Sequence, residues 1–258
     1  MNNTPFIAML TAVLLTTGVD AFAQTSIEER VFVNASVGMQ TLSPSFSYRD
    51  TQTIFLEEAS AQLDVEGEND LVFDIGGGVR LFQNFGVGVA FSRYNPEQTG
   101  ALTVTIPHPL FFNQPAVDTL DVPLKRTEKA IHLDAFYIVP FNDRIQLTVF
   151  GGPTRFSYEQ QAVENFRIGA DLVGSNFTID LDNPQLRTLE GDVWGYNVGA
   201  DIAFLFNARL GVGAMVRYSD ASTDVENVFQ TARTDISNTA ASLDLGGLQV
   251  LGGVRLRF

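Results

Sequence analysis

His108 and His132 are the only histidines in the chain, and each could serve as a general base. A Ser-His-acid arrangement would need one of them beside a serine and a carboxylate. His108, set between Pro107 and Pro109, is the first candidate, because other long connections supply Ser and Asp. The competing reading makes it a turn residue held by the two prolines. Three glycine-rich runs (Gly76 to Gly78, Gly86 to Gly88 and Gly211 to Gly213) have the composition of a phosphate loop. No P-loop lysine accompanies them and no helical pattern follows, so glycine easing strand curvature in a narrow space is the better reading. Cysteine is absent, which excludes thiol nucleophiles, disulfides and Cys-based metal sites. No acidic span has the spacing of a calcium loop, and neither metal nor cofactor is expected. The remaining chemistry lies in seven charged residues set singly among apolar neighbours: Asp74, Arg80, Asp134, Asp201, Arg217, Arg255 and Arg257. Their meaning depends on which face of which element they occupy.

Those elements alternate with period two. Residues 30–40, 71–82, 85–94, 129–141, 145–152, 194–206, 210–219 and 248–258 each place Val, Ile, Leu, Phe or Tyr on one face. The other face of each carries Gly, Ala, Ser, Asn, Thr and the seven charges. In the last stretch, Val250, Val254, Leu256 and Phe258 oppose Gln249, Arg255 and Arg257. Pairs of strands meet at short turns (Gln83-Asn84, Asn142-Asp143, Asn207-Ala208), as two- or three-residue hairpins do. The other connections, residues 41–70, 95–128, 157–192 and 219–244, are long. Short turns on one rim and long loops on the other predict an all-β, eight-stranded antiparallel up-and-down transmembrane barrel. Residues 101–107 could instead pair into the barrel and make ten strands.

The apolar face has almost no charge, whereas a soluble barrel would turn its charges outward. Hydrocarbon outside and a polar lumen inside explain the inversion. Aromatics gather where two interfacial girdles belong: Phe82, Phe85, Phe141, Phe206 and Phe258 at the short-turn rim, and Phe91, Tyr94, Phe156, Tyr158, Trp194, Tyr196 and Tyr218 toward the other. The seven charges then point into the lumen, where each needs a partner. Asp201 and Arg255 lie at similar height and are the first expected pair.

The formal net charge of −14 and a pI near 4.4 argue against nucleic acid as a partner. Most of the acids fall in the four long connections, which predicts solvated acidic loops at one end. Residues 6–19 form an apolar run followed by Ala21-Phe22-Ala23, a small-x-small site. This predicts a secretory signal over residues 1–23 and a barrel domain over residues 24–258.

The signal, the repeated short-turn and long-loop pattern and the ending "GGLQVLGGVRLRF" together resemble the outer-membrane β-barrel domain family, eight-stranded and OmpA/OmpX-like. The resemblance implies the cell outer membrane and an environment of lipid and lipopolysaccharide. It also implies assembly machinery that reads Val250, Val254, Leu256 and the terminal Phe258. It transfers no catalytic residue. Residues 105–115 look like a distinctive segment of one subgroup, and their three prolines fit an ordered loop. The expected role is structural or interactive: a monomeric barrel, plugged by its charge network, anchors loops at the surface. A gated narrow conduit for a small or amphiphilic solute is the alternative, and a lipid-modifying or proteolytic surface enzyme a third reading.

Overall fold

Asparagines set two of the three short turns. In the computed structural model, which describes residues 30–142, 144–225 and 241–258, Asn142 Oδ1 accepts from the amides of Arg144 and Ile145 at 2.9 and 2.8 Å. Asn207 Oδ1 accepts from those of Arg209 and Leu210 at the same distances. A short side-chain acceptor thus closes both of these turns, as Asn does in Asx turns. The expected signal, residues 1–23, lies outside the described residues.

The described residues form strands β1 (Val31–Thr41), β2 (Phe46–Ile54), β3 (Glu57–Val65), β4 (Asp70–Phe82), β5 (Phe85–Tyr94), β6 (Glu97–Ile106), β7 (Ala116–Pro140), β8 (Ile145–Val173), β9 (Asn176–Leu205), β10 (Leu210–Val225) and β11 (Ala241–Arg257). All pairings are antiparallel. Eight strands close on themselves in the order β1-β4-β5-β7-β8-β9-β10-β11, and β11 returns to β1 with Val33 opposite Leu256. Closure removes every edge within the barrel, which a bilayer requires.

Residues 101–107 do not enter the barrel. They lie largely in β6, which pairs with β3 and with the first half of β7 in a second sheet ordered β2-β3-β6-β7. Strand β7 belongs to both sheets: residues 116–125 pair with β6, and residues 126–140 pair with β8 in the barrel wall. Strands β8 and β9 continue as a hairpin far past the barrel wall, to Val173 opposite Asn176.

Over the described residues, the long connections are therefore corrected from solvated loops to mostly strands. Their alternation runs in the opposite sense to that of the barrel. Outward positions on β5 read Phe85, Val87, Val89 and Phe91, and then Arg93. On β9, going the same way, Phe204, Ile202, Val198, Tyr196 and Trp194 give way to Asp192. Exposed ion pairs Lys129–Glu159 and Arg155–Asp192, both 3.1 Å, stand at this change. Beyond it the inside turns apolar. Phe46, Leu63, Leu102, Val104, Val122, Leu124, Phe156, Val163, Leu181, Leu243 and Leu245 are buried together. Where hydrocarbon surrounds the barrel the apolar face points out. Where water surrounds it the apolar face points in. The line of charges marks the apical edge of the membrane-spanning part.

Candidate functional site

The lumen is a narrow space crossed by charged side chains, with an apolar cap above it. Along the barrel wall the strands pleat the even residues of β5, β7 and β8 (as far as Ala162), and the odd residues of β9 (from Leu189), β10 and β11, inward. Asp74, Asp201, Arg217, Arg255 and Arg257 are buried there, and Arg80 and Asp134 are half-buried.

Nearest the turn rim, Phe32 and Phe136 meet edge to face with centroids 5.1 Å apart. An aromatic floor forms because the neighbouring strand position is Gly78, where an added Cβ would stand 2.8 Å from both rings. Above this floor, Arg255 on β11 crosses β10 to reach Asp201 on β9. Its Nε lies 3.1 Å from both carboxylate oxygens and its Nη2 2.5 Å from Oδ1, while Nη1 donates to Ser36 at 2.8 Å. The crossing uses Gly213, where an added Cβ would lie 2.7 Å from Arg255 Nε. A side chain there would block the ion pair.

At the next level Arg217 on β10 spans the lumen to Asp74 on β4 at 2.6 Å, its guanidinium 5.6 Å from the Phe150 ring centroid. Gln249 contacts Arg217 at 3.4 Å and donates to Gln40 at 2.8 Å, and Gln40 donates to the Gly246 carbonyl at 2.8 Å. On the far wall His132 joins Ser92 at 3.0 Å and Thr154 at 2.9 Å, with Asn197 donating to Thr154 at 3.0 Å. Arg126 and Glu128, a buried pair at 2.6 Å, close the top. Arg126 donates to the Asp244 carbonyl at 2.6 Å and Glu128 accepts from the Gly246 amide at 3.2 Å, joining β7 to β11 across the barrel.

Asp74, Asp134, Asp201, Arg217, Arg257 and Phe136 help to line a cavity of about 60 Å³, room for a few waters. Asp134 Oδ1 makes no hydrogen bond among the described residues. Among those residues no group of His, Asp and Glu could hold a metal.

Of the expected girdle, Phe82, Phe85, Phe91, Phe141, Trp194, Tyr196, Phe206, Tyr218 and Phe258 are exposed on the outer face. So are Val250, Val254 and Leu256 on the last strand. Tyr94 is corrected: it is 2% exposed and faces inward. Its even number on β5 puts it in step with Ser92, not Phe91. Its hydroxyl meets Ser43 at 2.9 Å and donates to the Glu68 carbonyl. Burial pushes its phenol up to about 12. Phe156 and Tyr158 are buried in the cap for the same reason of parity. Burial raises the Tyr158 phenol as well.

His108 is also buried, in the β6–β7 loop. Its Nδ1 accepts from the Leu110 and Phe111 amides at 3.0 and 3.2 Å, and Nε2 donates to the Ser175 carbonyl at 3.2 Å. Both ring nitrogens are engaged by backbone, so His108 folds its loop onto the β8–β9 turn. The Arg126–Glu128 clamp and the Gln40–Gln249 link are not among the residues singled out from the sequence. Both pairs stand at inward positions, and parity alone could have found them.

No protein-family model matches the chain, and no curated protein matches it significantly. Among solved structures, the fold is similar to the outer membrane protein OprG from Pseudomonas aeruginosa (10% identity, covering 89% of this chain and 96% of that one, TM-score 0.48). It is similar also to the outer membrane protease OmpT from Escherichia coli (10% identity, 93% and 99%, TM-score 0.49). Neisserial surface protein A is a third (13% identity, 88% and 97%, TM-score 0.38). The closed eight-stranded wall, its uncharged outer belt and its interfacial aromatics make this chain a membrane-spanning β-barrel of the outer-membrane type.

Proposed function

We propose that the barrel is a sealed anchor in the cell outer membrane and that its role is to hold a folded β-structure at the cell surface for interaction. The observation that carries this reading is the closure of the lumen at every level. The Phe32–Phe136 floor, the Arg255–Asp201 and Arg217–Asp74 pairs, the Arg126–Glu128 clamp and the apolar cap lie one above another. Conduction would require breaking buried charge pairs and parting an apolar core, each costing several kcal/mol. A gated conduit is therefore the weaker reading, and an enzyme weaker still, since both histidines spend their nitrogens on structural hydrogen bonds. Lipid and lipopolysaccharide around the belt, and assembly machinery acting on Val250, Val254, Leu256 and Phe258, are the partners this reading carries. The test is conductance in planar bilayers. The purified barrel should give no unitary steps, and reproducible ion conduction would overturn the proposal.

A further inference from the structure

The apical end has an exposed apolar surface that the cap does not use. Three turns meet there: β2–β3, β6–β7 and β8–β9. The Glu57 carboxylate accepts from the Asn113 amide at 2.9 Å, tying the first to the second. His108 donates to the Ser175 carbonyl, tying the second to the third. On this joined platform Phe55, Leu56, Leu110, Phe112, Leu172 and Val173 are all exposed, Leu56 by 86% and Phe112 by 66%. They lie far from the lipid belt, beyond the line of exposed ion pairs, where water surrounds the protein. An apolar cluster in that position is a mark of recognition.

The backbone adds a second observation. Phe55 and Leu56 form the two-residue β2–β3 turn with φ of +52° and +69°. That conformation is natural to Asn-Gly and strained for large side chains. Two large apolar residues are held at the tip despite a backbone that disfavours them, and such strain collects at functional positions.

Charge narrows the occupant. Residues 49–62, 107–118 and 167–182, which build the platform, carry Asp50, Glu57, Glu58, Asp118, Asp171, Asp180 and Asp182 against only Arg49, which pairs with Glu58 at 3.1 Å, and Arg167, which stands opposite Asp182. The one histidine among them has both nitrogens engaged. A second copy of the platform would bring acid against acid, and an anionic lipid surface would be repelled in the same way. We infer that the platform docks a cationic amphipathic polypeptide: the apolar side chains receive its apolar face and the acidic rim receives its Lys or Arg. This rests on the reading of the barrel as a surface anchor and names the chemistry of its partner.

The test uses the full barrel in zwitterionic nanodiscs, with empty discs as the background. The probe is a labelled helical peptide of leucine and lysine, and binding is read by fluorescence anisotropy. The informative variant is Phe55→Asn with Leu56→Gly, which gives the turn the residues it prefers and so keeps the fold. It should retain the heat-shifted gel mobility of the native barrel and weaken peptide binding by roughly tenfold or more, as loss of central apolar anchors does. Glu57→Gln with Asp171→Asn should weaken binding and flatten its salt dependence, the Gln keeping an acceptor for Asn113. Unchanged binding in the turn variant overturns the inference, as does equal binding of a leucine–glutamate peptide. Turn-dependent dimerisation, or turn-dependent capture of zwitterionic vesicles that exceeds peptide binding, overturns it in favour of another occupant. Loss of the inference in these assays with the lumen still silent in bilayers leaves the anchor reading standing; conduction sinks that reading separately.

Discussion

Replacing Asp201 by leucine should destabilise the folded barrel by about 3–5 kcal/mol, because it strands a buried guanidinium. Arg255 is 1% exposed. Its Nε and Nη2 hydrogens go to Asp201, leaving Nη1 with Ser36 and the Val254 carbonyl. Each lost charge-assisted bond is worth about 1.5–3 kcal/mol, and two are lost. The cavity that Asp201 helps to line lets some water reach the guanidinium, which favours the lower half of that range. The assay is equilibrium urea unfolding in lipid vesicles, followed by circular dichroism and by gel mobility without boiling. Arg255→Leu should be similarly costly, since it strands Asp201. The double variant should recover most of the loss, because two apolar side chains leave no stranded charge. The double-mutant cycle should then show coupling of at least about 1 kcal/mol. A loss below about 1 kcal/mol in Asp201→Leu, typical of a solvated pair, would refute the view that this buried pair braces the lumen.

Leu63→Ala or Leu102→Ala, each at a fully buried position of the cap, should cost about 2–5 kcal/mol locally. The cost should appear as faster proteolysis of the apical strands while the barrel itself keeps its heat-shifted mobility. Stability should decline as pH rises from about 10 toward about 12. In that window the unfolded chain releases the Tyr94 proton, and the folded chain, with its phenol held near 12, retains it. Tyr94→Phe should flatten that part of an alkaline unfolding profile. The unboiled native barrel should migrate differently from the boiled one on a detergent gel, and identical mobility would count against a closed barrel.

The barrel wall was legible in the sequence because a membrane makes period-two patterning severe. One face tolerates almost no charge, so Asp74, Asp134, Asp201, Arg217, Arg255 and Arg257 stand out as inward residues. Even the Asp201–Arg255 pairing followed from their similar height. The apical structure was not legible as strands. In Leu102 and Val104, Val122 and Leu124, or Leu243 and Leu245, the alternation is as clear as in the barrel. It has the soluble sense, apolar inside, and it sits in segments whose length between barrel strands suggested loops. Tyr94, Phe156 and Tyr158 were misplaced by grouping aromatics along the chain without counting parity from Phe91 or Val149. Contacts across the lumen, such as Arg217 to Asp74 or Arg126 to the Asp244 carbonyl, depend on barrel stagger, and no local pattern states it.

The uncharged outer face must be in contact with lipid, and the chain carries a built-in reporter of that contact. Trp194 is its single tryptophan, exposed on β9 at the apical end of the belt and two residues from Asp192. In bilayers of brominated lipids its fluorescence should shift to the blue on folding. Quenching should be strongest for bromines near the headgroups and weaker for those at the acyl-chain ends. Emission at the wavelength of water-exposed tryptophan, unquenched at every bromine depth, would contradict the membrane-spanning assignment.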